Sequence, residues 1–112
     1  MKIYISIPIT GKNILLQMRK ARMWHRIYEA EGHTVINPFD VGYRLELLHE
    51  KSKMDPPTHS EYMFHDLMWL SQCNAVLFCE GWRQSRGCTR EYKEARGLRL
   101  KLMSEDKERR RL

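Results

Sequence analysis

Two acidic residues, Glu91 and Asp66, stand where a carboxylate is costly unless it has a partner or a task. Glu91 belongs to "EGWRQSRGCTREYKEARGL", Glu80 to Leu98, and falls six residues after Ser85, close to the apolar stripe of the helix that begins there. Asp66 borders the apolar stripe of the preceding helix, so the short strand between the two helices lets both acids approach the strand ends. Two such carboxylates suit glycosidic bond cleavage. One acts as nucleophile or stabilises an oxocarbenium-like centre, and the other moves a proton to the leaving group or to water. Tyr4 either aims a hydroxyl at the first acid or packs its ring in the core. Ser85 and Gly87 open the helix, where N–H groups and a hydroxyl meet a phosphate or carboxylate; read structurally, they are an N-cap and a packing residue. Trp82, on the same loop, either stacks on a base or clamps the loop to its own domain.

These residues are positioned by alternating strands and helices. Lys2 to Ile7 reads as a β-branched strand ended by Pro8, followed by the loop "PITGK". Asn13 is placed to cap a helix from Ile14 to about Ala30, with Ile14, Met18, Ala21, His25 and Tyr28 on one face and Gly32 as its stop. "HTVINP" forms a second strand closed by Pro38, then a loop and a weaker helix around Tyr43 to Glu50. Thr58 and Glu61 have capping-box spacing for a helix from about Ser60 to Gln72, with Met63, Leu67 and Leu70 facing the core. "NAVLF" is a fully apolar strand of the kind buried on both faces of a parallel sheet. A helix from about Ser85 to Arg96 buries Cys88, Tyr92 and Ala95 and stops at Gly97, before a last strand in "LRLKLM". The order implies a small doubly wound α/β fold, Rossmann- or flavodoxin-like, with about four or five parallel strands covered by helices. Ligands then meet the carboxyl ends of the strands, along "PITGK", "NPFD" and "EGWRQSRG".

At 112 residues the chain has room for one domain, expected over residues 1–103, with 104–112 as a charged, solvated tail. No apolar run approaches the roughly 18 residues that span a bilayer, so no membrane association is expected. Cys73, Cys79 and Cys88 are odd in number and hold no C-x-x-C pair, which points to a reducing cytoplasm. Neither G-x-G-x-x-G nor Walker A occurs, and the five histidines lack ligand spacing, so neither cofactor nor metal is expected. A net charge of +6 raises a nucleic-acid reading, but several positive charges sit in the terminal "KERRRL". The remaining balance suits a small anionic ligand.

"MKIYISIPITG", "AEGHTVINP" and "HDLMWLSQCNAVLFCEGWRQSRGCTREYKEARGL" together resemble the nucleoside 2-deoxyribosyltransferase-like superfamily. The resemblance is to small DUF4406-type bacterial and phage members related to 2′-deoxynucleoside 5′-phosphate N-hydrolases. It covers about residues 1–103, and "G-W-x-x-S-x-G-x-x-x-E" is its most specific string. It implies cleavage of the N-glycosidic bond of deoxynucleosides or their 5′-monophosphates, by transfer or hydrolysis, in a homo-oligomer. Residue by residue it implies Glu91 as nucleophile, Tyr4 as the tyrosine that orients it and Asp66 as the acid handling protons and sugar hydroxyls. Around the substrate it implies Ser6, Ile7, Pro8, Thr10, Gly11, Asn37, Trp82, Ser85 and Gly87. The serine six residues before the nucleophile matches the nucleotide hydrolases, since the aspartate usual in nucleoside transferases would repel a phosphate. Ile7 stands where the family has a glycine and is expected to narrow the space beside the ligand. Asn74 replaces an aspartate, and Thr10 stands at the site of a phosphate-holding basic residue. A non-catalytic nucleotide-binding module on the same fold is the alternative.

Overall fold

A computed structural model describes all 112 residues. Four parallel strands, β1 (Lys2–Ser6), β2 (Thr34–Ile36), β3 (Ala75–Phe78) and β4 (Lys101–Ser104), form one sheet in the order β2-β1-β3-β4. The helices are α1 (Ile14–Ala30), α2 (Pro38–Lys51), α3 (His59–Ser71), α4 (Arg86–Gly97) and α5 (Glu105–Arg111), with a 3₁₀ turn at Trp82–Gln84. This is the expected doubly wound, Rossmann- or flavodoxin-like α/β fold. Its strand order reverses between β1 and β3, the place where such sheets open a crevice for a ligand.

Strand alternation divides the core in two. Ile3, Ile5 and Ile7 face α1 and pack with Ala21, Trp24, Tyr28, Leu77 and Cys79. Tyr4 faces the other side with Val76 and Phe78, under Leu70 of α3 and Ala95 of α4. Ser6 pairs with Phe78 across the sheet and shares the face of Tyr4.

The caps at Asn13, Thr58 and Ser85 form as the sequence predicts: Leu16 N–H donates to Asn13, Cys88 N–H donates to Ser85, and Thr58 and Glu61 close a reciprocal box. Several expectations require correction. Ile14 and Met18 are exposed, and Trp24 is buried in their place. The 17 residues of α1 run about 25 Å, whereas the five of β1 cover roughly 17 Å, so the first turns of the helix overhang the sheet. The loop expected after Pro38 is helix: Asn37 accepts from Phe39 N–H and Pro38 occupies the first turn, where its missing N–H costs nothing. Of the core positions expected on α3, Leu70 is buried and Met63 and Leu67 only half-buried; on α4, Cys88 and Ala95 are buried and Tyr92 half-buried.

Gly97 does not stop α4. Arg99 takes the left-handed conformation (φ 58°), and Leu100 N–H reaches back to the Ala95 carbonyl. The terminal residues are likewise not a solvated tail. Helix α5 docks on α1, with Tyr28 donating to Glu108, while Arg110 pairs with Asp106 and Arg111 with Glu31 and Glu108. No helix is long and apolar enough to cross a membrane.

Candidate active site

The carboxylate of Glu91 lies beneath α4 against the carboxyl end of β1, only 5% exposed. The Tyr4 hydroxyl donates to Oε2 at 2.5 Å and the Ser6 hydroxyl to Oε1 at 2.8 Å. Both donors come from alternate positions of one strand, so the pleat that sends Ile3 and Ile5 into the opposite core delivers these hydroxyls to the glutamate. The cap of α4 is Ser85, so Glu91 has no capping work to do. The Glu91 carboxyl is pushed up to about 8, by burial above all, with the hydroxyls of Tyr4 and Ser6 opposing the rise and Asp66 adding to it.

Asp66, half-buried on α3, is raised by burial to about 7. Its charge acts on both Glu91 and Tyr4, which places it in the same electrostatic neighbourhood. A hydrogen bond joins Tyr4 of β1 to Glu91 of α4, whereas Asp66 of α3 makes no hydrogen bond to either. Both acids are held above the usual carboxylate range, by burial above all. Tyr4 itself is held well above the phenol range, by burial first and then by Glu91 and Asp66.

Ser85 and Gly87 stand at the amino end of α4. The Ser85 oxygen accepts from Cys88 N–H at 3.2 Å. A Cβ at Gly87 would sit 3.8 Å from the end of the Met63 side chain, an ordinary contact, so packing against α3 does not itself demand glycine here. Cys88, not singled out as a site residue, has a buried thiol raised to about 11 by desolvation, against the pull of the Ser6 and Ser85 hydroxyls. Its position three residues before Glu91 is the only sequence signal that would have found it.

The remaining residues are dispersed. Thr10 and Gly11 lie in an exposed turn closed by Lys12 N–H to the Ile9 carbonyl, and no hydrogen bond joins them to Ser85. Pro8 is buried, accepts from the Gln17 side chain at 2.6 Å and faces Gly81. Asn37 spends its side-chain oxygen on the cap of α2 and turns its amide toward His25 of α1. Ile7 belongs to the core beneath α1, so its side chain leaves the Glu91 face of the sheet unobstructed. Trp82 packs on Phe78 and Tyr92, with ring centroids 5.1 Å and 4.8 Å away, and Arg83 lies over its ring. It clamps the loop to its own domain. It also borders a cavity of about 530 Å³ toward β4 and α5, which neither Ser85 nor Glu91 lines.

His65 leaves Nδ1 without a partner while Nε2 accepts from Trp69, and burial lowers its basicity. No cluster of three metal-binding side chains occurs. The fold and site define a parallel α/β domain with a buried glutamate, held by two strand hydroxyls, at its strand-order switch point. The chain belongs to the DUF4406 family, a domain of unknown function, whose model matches residues 1–104. Comparison with curated proteins finds no match.

Proposed function

We propose that this protein cleaves the N-glycosidic bond of 2′-deoxynucleosides or their 5′-monophosphates, with Glu91 as nucleophile. The observation that carries the reading is the buried Glu91 carboxylate, held by Tyr4 and Ser6 beside a second acid, Asp66, and next to the amino end of α4. In the proposed reaction the ionised Glu91 attacks C1′ as the C1′–N bond breaks. The base leaves with the bonding electrons and takes a proton from Asp66. Water then attacks the glycosyl ester, returns a proton to Asp66 and frees Glu91. Ser85 and the first N–H groups of α4 receive a 5′-phosphate, which favours monophosphates and hydrolysis.

A non-catalytic nucleotide-binding module is the second reading. It is favoured by one observation: in the free protein Glu91 is nearly sealed from solvent and holds its proton to about pH 8. A chromatographic screen of the common deoxynucleosides and their monophosphates separates the two. Released base supports the enzyme, whereas binding without release from any of them selects the module.

A further inference from the structure

The last helix carries a second buried carboxylate that the proposed reaction does not use. Glu105 is 3% exposed and joins three parts of the chain. Its Oε1 accepts from the Glu80 backbone N–H at 2.8 Å and from Lys20 at 3.2 Å, while Oε2 accepts from Trp24 Nε1 at 2.7 Å and Arg109 at 3.2 Å. A carboxylate so thoroughly supplied with donors is a fixed post. It lies just beyond the stretch matched by the family model.

The Glu80 N–H opens the turn that leads from β3 to α4. Trp82 N–H donates to the Cys79 carbonyl, Gln84 N–H to Gly81 and Ser85 N–H to Trp82, so the turn is a chain of short-range bonds ending on the α4 cap. Gly81 takes φ 84° against the Pro8 ring, 3.7 Å from where a Cβ would stand, so this turn abuts the exit of β1. Pro8 is in turn held by Gln17 of α1, the helix that supplies Lys20 and Trp24 to Glu105. Both strand exits flanking Glu91 are therefore tied to α1, one directly and one through Glu105.

We infer that Glu105 is a positioning residue: by holding the Glu80 N–H it fixes the turn that presents Ser85 and the amino end of α4. Its effect on turnover rests on the N-glycosidase reading, whereas its hold on the turn does not.

Amide hydrogen exchange on the full chain tests the hold, comparing the parent with Glu105→Ala and Glu108→Ala. The second variant removes the bond from Tyr28 of α1 to α5, along with one bond from Arg111 within α5, without touching Glu80. Exchange at Glu80 and at Trp82 to Ser85 is expected to quicken about tenfold or more in Glu105→Ala, the consequence of losing a bond to a charged acceptor. In Glu108→Ala it should stay at the parent rate. Parent-like exchange in Glu105→Ala, or equal acceleration in both variants, overturns the inference. Where Glu105→Ala does not fold, Glu105→Gln keeps a carbonyl oxygen for the Glu80 N–H and is judged by the same comparison, with a smaller acceleration expected. In a protein that releases base, KM for the monophosphate should rise several-fold in Glu105→Ala with kcat largely retained. A parent without turnover defeats the N-glycosidase reading, and the exchange data still decide the role of Glu105.

Discussion

Replacing Glu91 by glutamine is expected to remove activity and, at alkaline pH, to make the protein more stable. Burial raises the folded-state carboxyl from 4.5 to about 8. Between those values the folded chain binds more protons than the unfolded one. The stabilisation is complete below the unfolded value and is lost as pH rises through the folded one. The window spans about 3.5 pH units, and about 1.4 kcal/mol for each sets a ceiling of about 5 kcal/mol, of which about 4 kcal/mol falls between pH 5 and 9. Glutamine has nearly the same shape and no charge to lose, and the Tyr4 and Ser6 hydroxyls can turn to accept from its amide. Urea unfolding at intervals from pH 5 to 9 provides the assay, with the exposed Glu94→Gln as control. The stability of the parent relative to Glu91→Gln should fall by about 4 kcal/mol across that range, while its stability relative to Glu94→Gln stays nearly constant. A difference between the parent and Glu91→Gln that does not change with pH would mean that Glu91 ionises like an exposed acid, and the argument from burial would fail.

Tyr4→Phe removes the shorter hydrogen bond to Glu91 and a pull that lowers its pKa. Turnover should drop about 10- to 100-fold and its alkaline-shifted pH profile should move further up, whereas an unmoved profile would deny Tyr4 its orienting role. Ser85→Asp places a carboxylate at the amino end of α4, so the ratio of monophosphate to nucleoside cleavage should fall about tenfold or more; a constant ratio would place the phosphate elsewhere. Arg99→Gly relieves a left-handed residue after α4 and should add about 0.5–1 kcal/mol in urea unfolding, with a loss of stability counting against the strain argument.

Local chemistry was readable from the sequence wherever a residue acts on its own neighbourhood. Asn13, Thr58 with Glu61, and Ser85 cap helices through bonds only a few residues long, and Ala75 to Phe78 are all apolar because both faces of their strand are covered. Glu91 and Asp66 drew attention because each interrupts a helix stripe, but that Tyr4 and Ser6 both hold Glu91 emerges only in the folded sheet. Pro38 concealed α2, since the same residue that ends a strand also begins a helix, and Asn37 decides which role prevails. Ile7 misled through its place in a motif, although strand alternation from Tyr4 and Ser6 already assigns it to the other face. Helix α5 was hidden by its charge. Glu105 finds Lys20, Trp24 and Glu80 at separations of 85, 81 and 25 residues, and no local pattern announces partners that only the finished sheet brings together.

The central claim, that Glu91 makes and breaks the bond to C1′, is tested most directly by the rate of base release from the best deoxynucleoside monophosphate in parent, Glu91→Gln and Glu94→Gln. A nucleophile supplies a covalent route that glutamine cannot, so release should fall by about a thousandfold or more in Glu91→Gln and persist in Glu94→Gln. Release by Glu91→Gln at the parent rate would contradict the account.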